Sequence, residues 1–301
     1  MFSSRIATSS PLVPIVKRGF AVNEKQIKIR MKAVSSIEKI TKAMKMVAAS
    51  KMRGDLVRLE QGKRFGYNSV DMIFKSDAYM QRKAPLHDTH DATEFLVPLT
   101  SDRGLCGGIN SNIVRELKTY AKEKNRSKIR ILPVGEKGSI AMVRPFPDLI
   151  KSSISEIVTP YNYPTAMALA QVIVSQSEGF DKIVIYYNEF KSAISQVIRR
   201  MELMPRKKFL ETMKFARLYN QTRPDKNTSN PALYELYITS NLWVAFLNNA
   251  ASEQSARMNA MENASKNARE IIDKLNLQYN KARQARITME LVEIISGASA
   301  L

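Results

Sequence analysis

The sequence predicts an α/β fold in which long N- and C-terminal helices form an antiparallel coiled coil, with an inserted α/β domain that has a mostly parallel sheet. Both end regions repeat apolar residues three and four positions apart, which is the spacing of a helical packing face. The middle of the chain instead alternates short β-rich runs with helical stretches. At 301 residues and 44% apolar content, the chain can bury a sizeable core.

The first 20 residues have the composition of a mitochondrial presequence. They contain Arg5, Lys17 and Arg18, four serines and no acidic residue. Arg18 also lies three residues before Ala21, as at a matrix processing site. We therefore assign residues 1–20 to a presequence and exclude them from the fold. An ordinary N-terminal tail is the alternative.

Residues 21–83 are predicted to hold the first long helix. No proline occurs from Glu24 to about Tyr79, and lysine and arginine crowd the first half. Glycines further along predict a kink or break at Gly54, Gly62 or Gly66. The apolar residues that recur three or four apart are Ile27, Met31, Val34, Ile37, Ile40, Met44 and Val47. Because two paired helices bury only their mutual seam, Met44 and Val47 are expected to protrude unless a partner assembly encloses them.

Residues 84–229 are predicted to form the α/β domain. A run at 193–204 alternates as an edge or antiparallel strand would, and the polar residues 223–231 read as a linker to the last helix. Because strands and helices alternate elsewhere, the sheet should be mostly parallel. The strands are expected at 94–100, 128–134 and 181–187, and the helices at 110–124 and 164–177.

Residues 230–301 are predicted to form one continuous helix. Seam positions recur from Leu233 to Ala282, no proline follows Pro231, and the end is small and apolar. At 1.5 Å per residue this helix would be on the order of 100 Å long, so it must pack against more than its own domain. A dimerisation arm is the alternative, although Ser, Ala and Gln at seam positions argue against a self-sufficient zipper.

The net charge of +19 is unevenly distributed. Residues 21–83 are strongly basic, whereas the charges of residues 230–301 cancel. A basic coiled-coil nucleic-acid binder is therefore a rival function, but the neutral last helix and the lack of an arginine and aromatic reading face speak against it. No run approaches the roughly 18 apolar residues that span a bilayer, so direct membrane insertion is not predicted.

Few residues suggest catalysis. Cys106 is the only cysteine, which excludes an internal disulfide. It lies in a glycine-rich loop, residues 101–108, that matches neither a P-loop nor a dinucleotide fingerprint, so the thiol is expected to pack rather than react. His87 and His90 have a possible metal-ligand spacing but lie in a polar stretch typical of a surface loop. We predict no catalytic residue, cofactor or metal; a nucleotide-using enzyme centred on Cys106 is the alternative.

Three stretches resemble the gamma subunits of rotary ATP synthases. They are ITKAMKMVAASKM at residues 40–52, TSDRGLCGGINSN at residues 100–112 and RITMELVEIISGASAL at residues 286–301. The motifs occur in the family's order, and the resemblance covers residues 21–301. Met289 and Arg286 depart from residues common in the family. Together with residues 1–20, the resemblance points to a mitochondrial form.

The resemblance implies a rotor function without chemistry of its own. Family members form the central stalk of a proton-driven ATP synthase, in which the end helices turn inside a hexamer of alpha and beta subunits. The α/β domain stands on the c-ring, beside the delta and epsilon subunits. Rotation then changes the nucleotide affinity of each catalytic beta subunit. The implied location is the matrix side of the mitochondrial inner membrane, as a peripheral subunit.

The resemblance also implies which residues contact partners. Met44 and Lys45 match positions where the family's shaft approaches the beta subunit. The other matching positions lie in the last helix and are Arg257, Gln284, Thr288 and Glu290. Each of them also fits an ordinary helix surface or seam.

Overall fold

The computed structural model describes residues 24–66, 92–124, 126–157, 159–213 and 226–299. The predicted presequence, His87 and His90 lie outside these residues. The described chain divides into two compact units. One contains the residues up to Lys39 together with those from Ser265 onward, and the other is Ile40–Ala264.

A four-stranded sheet forms the centre of the larger unit. Its strands are β1 (Glu94–Pro98), β2 (Ile129–Ile131), β3 (Lys182–Phe190) and β4 (Gln196–Leu203), in the order β2-β1-β3-β4. β1 pairs in parallel with β2 and β3, and β4 closes one edge antiparallel to β3. The predicted mostly parallel sheet with an antiparallel edge strand is confirmed.

Helices cover both faces of this sheet. The expected helices are α2 (Ile109–Glu123) and α4 (Tyr163–Gln176), while α3 (Glu136–Val143) and α5 (Arg206–Met213) were not predicted. Each of the two unpredicted helices has only eight residues, too few to show a clear helical period. α2 buries one apolar stripe against the sheet, including Ile113 and Leu117.

The first long helix, α1, spans Glu24–Lys63. It passes Gly54 and Gly62 as α-helix and changes to a π-helical turn at residues 64–66, so the expected break falls only at the last of the three glycines.

The packing face of α1 follows the apolar row of the sequence only as far as Val34. Ile27 is buried as expected, but the inward positions then become Glu38, Thr41, Lys45 and Ala48. Thr41 and Ala48 are small, which lets the helix backbones approach closely. Ile37, Ile40, Met44 and Val47 are exposed, as was expected of Met44 and Val47.

The last helix, α6, spans Lys226–Ala298 and contains Pro231. Expecting a linker up to Pro231 was therefore wrong, because the helix already begins five residues earlier. A proline at the sixth position removes one backbone hydrogen bond but leaves the rest of the helix intact. The predicted seam is confirmed from Val244 to Ala282, since every seam position is buried or half-buried.

The N-terminal third of α6 also belongs to the core of the larger unit. On one face of the sheet, Leu242 and Phe246 pack with β1, β3 and α4. The other face packs against α2 and α3, so the larger unit has three layers. The sequence predicted only a single packing seam along this part of α6, whereas the structure buries the helix on most of its sides.

In both units α1 and α6 run antiparallel. In the smaller unit the ion pairs are Glu24 with Arg286 and Glu38 with Arg269. In the larger unit Leu59 packs against Leu247. Since the partner numbers fall as the α1 numbers rise, the predicted antiparallel helix pair is confirmed.

Candidate functional site

The described surface of α1 carries an apolar stripe formed by Ile40, Met44 and Val47. Met44 is 39% exposed, and the other two side chains are more exposed still. These residues are three and four apart, so they lie on one face of the helix. Contiguous exposed apolar side chains rimmed by polar residues mark an interaction surface. The stripe therefore has the character of a protein contact.

Lys45 lies beside the stripe, at the edge of the α1 and α6 contact. Its Nζ is 3.2 Å from Oε2 of Glu262, and both side chains are more than a third exposed. An ion pair with this exposure contributes little to stability. It does hold the lysine stem across the helix pair.

Arg257 is mostly buried, with a side chain that is 13% exposed. Its Nη2 is 2.5 Å from Oε1 of Glu253, and its Nη1 donates to Oε1 of Gln254 at 2.9 Å. Nη2 also donates to the carbonyl oxygen of Gly104 at 3.4 Å. The guanidinium thus joins α6 to the glycine-rich loop of its own chain.

Glu253 is the buried partner of this arginine. Burial raises the pKa of its carboxyl group, and the positive charge of Arg257 opposes that rise. The negative charges of Asp102 and Asp55 raise the pKa further. Removing the guanidinium would leave an uncompensated buried carboxyl, so Arg257 has a structural role whatever else it contacts.

The polar side chains of the glycine-rich loop after β1 form hydrogen bonds within the chain. Asp102 accepts hydrogen bonds from the backbone amides of Glu136, Glu156 and Ile157, at 2.9, 3.2 and 3.1 Å. Nδ2 of Asn110 donates to the hydroxyl of Ser101 at 2.7 Å. Because these polar groups serve to close the loop, its geometry is that of a structural turn and not of a phosphate cradle.

Cys106 packs within this loop. The side chain is 3% exposed and clusters with Ile109 and Ala256. The expectation that this thiol packs is confirmed. In the described residues no group of three or more His, Cys, Asp or Glu side chains is arranged to hold a metal ion.

Gln284, Thr288 and Glu290 lie in the smaller unit, near the end of α6. The Thr288 hydroxyl donates to the backbone carbonyl of Gln284 at 3.0 Å, so these two residues share a face one turn apart. Glu290 is about 200° around the helix from Thr288 and pairs with Arg286 at 3.4 Å. The predicted contact residues are therefore not gathered into one cluster.

Large apolar side chains surround these positions. Ile287, Met289, Leu291, Ile294 and Ile295 are all exposed, and all but Met289 lie within about 100° of one another around the helix. Contiguous exposed apolar side chains mark an interaction surface. This end of α6 thus has an apolar face that suits contact with a partner.

Sequence reasoning missed a row of buried polar residues on α6. Asn249 and Ser252 contact Asn188 on β3, while Ser255 and Asn259 contact the backbone of Ala193 in the turn before β4. The available signal was the recurrence of small polar residues three and four apart in an otherwise apolar stretch.

Membrane insertion finds no support in the helices. Across the described ranges, every helix falls short of the length and apolar content that crossing a bilayer requires.

Comparison with known proteins covers almost the whole chain. A family model described as ATP synthase matches residues 23–301. The ATP synthase gamma chain of Pelagibacter ubique is 38% identical over 285 residues, covering 91% of this chain and 98% of the relative. A second relative, from Dictyostelium discoideum, is named ATP synthase F(1) complex subunit gamma, mitochondrial. It is 34% identical over 281 residues, and the match covers 92% of this chain and 91% of the relative.

Solved structures agree with these relatives. A chain in the central stalk and c-ring structure of the Tetrahymena thermophila mitochondrial ATP synthase is 48% identical, with a TM-score of 0.68. The match covers 75% of this chain and 99% of that one. A chain of the Euglena gracilis mitochondrial ATP synthase shares the fold, with a TM-score of 0.76 at 23% identity over 93% of this chain and 95% of that one. From the family model and these relatives, the chain belongs to the ATP synthase gamma-chain family.

Proposed function

We propose that this chain is the central-stalk rotor subunit of a mitochondrial, proton-driven ATP synthase. The observation that carries the proposal is the apolar stripe of Ile40, Met44 and Val47, which α1 turns outward while small and polar residues face α6. A helix pair that leaves its larger apolar side chains outside requires a surrounding partner. Membership of the gamma-chain family supplies that partner as the hexamer of alpha and beta subunits.

The chain couples rotation to catalysis and performs no chemistry itself. Proton flow turns the c-ring, the α/β domain turns with it, and the helix pair turns inside the hexamer. Because the faces of the helix pair differ, each catalytic beta subunit meets a different surface at each angle. Differential contacts of this kind shift the affinity for ADP, phosphate and ATP.

The proposed assembly places the chain on the matrix side of the inner membrane as a peripheral subunit. Its partners are the alpha and beta subunits, the delta and epsilon stalk subunits and the c-ring. Residues 1–20 would act as the import presequence. The alternative of an enzyme centred on Cys106 is disfavoured because its thiol is buried.

Six residues are proposed as rotor contacts. Met44 presents an exposed apolar side chain, and Lys45 presents a cation partly balanced by Glu262. Arg257 acts from the base of the helix pair, where it is already held by Glu253. Gln284, Thr288 and Glu290 lie on the exposed end of α6, among apolar side chains that suit a close bearing.

Native mass measurement of the tagged chain, released gently from mitochondria, tests the assembly. One copy together with three alpha and three beta subunits is the expected result. Recovery as a free homodimer, or with nucleic acid, would overturn the proposal.

Met44→Lys tests the contact surface. The added cation would have to be desolvated against the partner, so the yield of ATP per translocated proton should fall while the complex still assembles. Val57→Lys is the matched control, because Val57 is also exposed on α1 but lies 13 residues, or about 20 Å, along the helix. Equal coupling in both variants would contradict a bearing role for Met44.

A further inference from the structure

The β3 and β4 hairpin is attached to α6 by a row of directed hydrogen bonds. Oδ1 of Asn249 accepts from the backbone amide and from Nδ2 of Asn188, at 3.3 and 3.0 Å. The hydroxyl of Ser252 donates to the carbonyl of Asn188 at 3.0 Å. All three side chains are buried. These bonds tie β3, near its C-terminal end, to the helix.

The same row continues to the turn of the hairpin. The hydroxyl of Ser255 donates to the carbonyl of Ala193 at 2.7 Å, and Nδ2 of Asn259 donates to the same oxygen at 2.8 Å. The four helix residues are spaced three, three and four apart, so they follow one face of α6 for about 15 Å. One face of the helix is therefore bonded to the end of the hairpin that carries the turn.

A second attachment lies on another side of α6. Arg257 reaches the carbonyl of Gly104 in the loop after β1, and it is two residues, about 200° of helix rotation, from Ser255. The sheet domain thus holds α6 between the hairpin and the glycine-rich loop. Two contacts on nearly opposite sides of the helix axis can exert opposing forces that together resist rotation of the helix. A contact on one side alone cannot do this.

The chemistry of the row suits the transmission of torque. Burial of apolar surface favours contact but has no preferred direction, whereas a hydrogen bond prefers a nearly linear angle and weakens steeply once that angle falls below about 120°. A helix held only by apolar packing can adjust its angle by repacking side chains. A helix bonded to a fixed strand loses those bonds when it turns.

We infer that Ser255 and Asn259 are positioning residues that fix the angle of α6 against the sheet domain and so carry torque between them. This rests on the proposed function, since torque matters only in a rotor. Asn249 and Ser252 extend the same joint into the core. The carbonyl of Ala193 is where the torque passes between α6 and the hairpin.

The test uses the complete ATP synthase with the double variant Ser255→Ala and Asn259→Ala. A bead is attached to the sheet domain through Lys151→Cys, an exposed position, with the hexamer fixed to a surface and stalled by inhibitor. The angular variance of the bead reports the compliance between domain and helix. The row contains five hydrogen bonds between α6 and the hairpin, and the double variant removes two of them. If the five bonds act as equal parallel springs, the stiffness falls to three fifths, so the angular variance should rise by up to about 1.7-fold.

Matched variants separate torque from folding. Ser192→Ala removes a serine from the same hairpin, but that hydroxyl accepts only from the turn amides of Ile194 and Ser195, so the variance should stay at the unmodified value. Ser255→Thr retains the hydroxyl donor and should restore most of the stiffness. Asn259→Ala alone keeps the Ser255 bond and serves if the double variant fails to assemble.

The outcomes separate a failure of the proposed joint from a failure of the proposed rotor function. A wider angular distribution in the variant, with unchanged assembly and unloaded ATP hydrolysis, supports the joint. Equal distributions in the variant and the unmodified complex overturn it. If the unmodified complex, freed of inhibitor and supplied with ATP, showed no rotation of the chain against the hexamer, the proposed function would be overturned instead.

Discussion

Replacing Leu242 by alanine tests whether α6 is part of the core of the larger unit. Leu242 is 0% exposed and packs with side chains of the sheet and α4. The substitution removes three carbon atoms, a transfer loss of about 2.4 kcal/mol at ~0.8 kcal/mol per methylene. A residual cavity adds to this loss, so the free energy of unfolding should fall by about 2–5 kcal/mol.

The assay is urea unfolding of the full chain followed by tryptophan fluorescence. Trp243 is the only tryptophan in the sequence, and its ring lies 5.4 Å from that of Tyr163, so it reports directly on the contact of α6 with α4. With a slope of about 3 kcal/mol per molar urea, a loss of 3 kcal/mol lowers the midpoint by about 1 M.

Leu277→Ala is the matched control for this experiment. It makes the same chemical change in the same helix at a side chain that is 65% exposed, so its effect should stay within about 0.5 kcal/mol. If Leu242→Ala shifted the midpoint no more than this control, the burial of α6 against the sheet would be refuted.

Three further substitutions test local geometry and charge. Gly138→Ala should destabilise the chain by more than about 2 kcal/mol in thermal or urea unfolding, because its Cβ would lie 2.2 Å from Oγ1 of Thr100. Gly54→Ala, with open space at its Cβ, should instead stabilise α1 by about 0.5–1 kcal/mol; the same sign for both would contradict the packing. Hydrogen bonds from Thr93, and then the Lys208 ammonium, lower the pKa of Asp181 from its ordinary value of 3.8. The ionised carboxylate therefore stabilises the fold above pH 3.8, and this contribution is lost as the pH falls through the lower pKa of the folded state. Melting temperatures of Asp181→Asn should therefore lie below those of the unmodified chain from pH 5 to 8 and converge with them below about pH 4; a constant difference would exclude the charge as the cause.

The elements were predicted from sequence where one periodicity ran long enough. β1, β3, α2 and α4 fall within a few residues of their expected positions, because continuous apolar runs and a 3.6-residue period are local properties. The period of α1 did not show which of its residues beyond Val34 turn inward. Ile40 and Met44 fit a helical core face by period alone, and only the position of α6 shows that Thr41 and Ala48 are the residues turned inward.

The contact residues show the same division. The exposure of Met44 and of the α6 end agrees with partner surfaces implied by the family motifs. The intramolecular grip of Arg257 on Glu253 and Gly104 could not be predicted, since Gly104 is 153 residues away in sequence. Likewise, the polar row from Asn249 to Asn259 has meaning only once the hairpin lies beside it.

By itself, the sequence determined the two long helices, the alternating α/β middle and, through three motifs, the family. These follow from short-range patterns that a single segment carries. The tertiary structure alone decided which face of α1 is buried, that α6 helps to build the core, and how the hairpin and the loop after β1 hold that helix. Those features depend on which distant segments meet, and periodicity in one segment does not specify its neighbour.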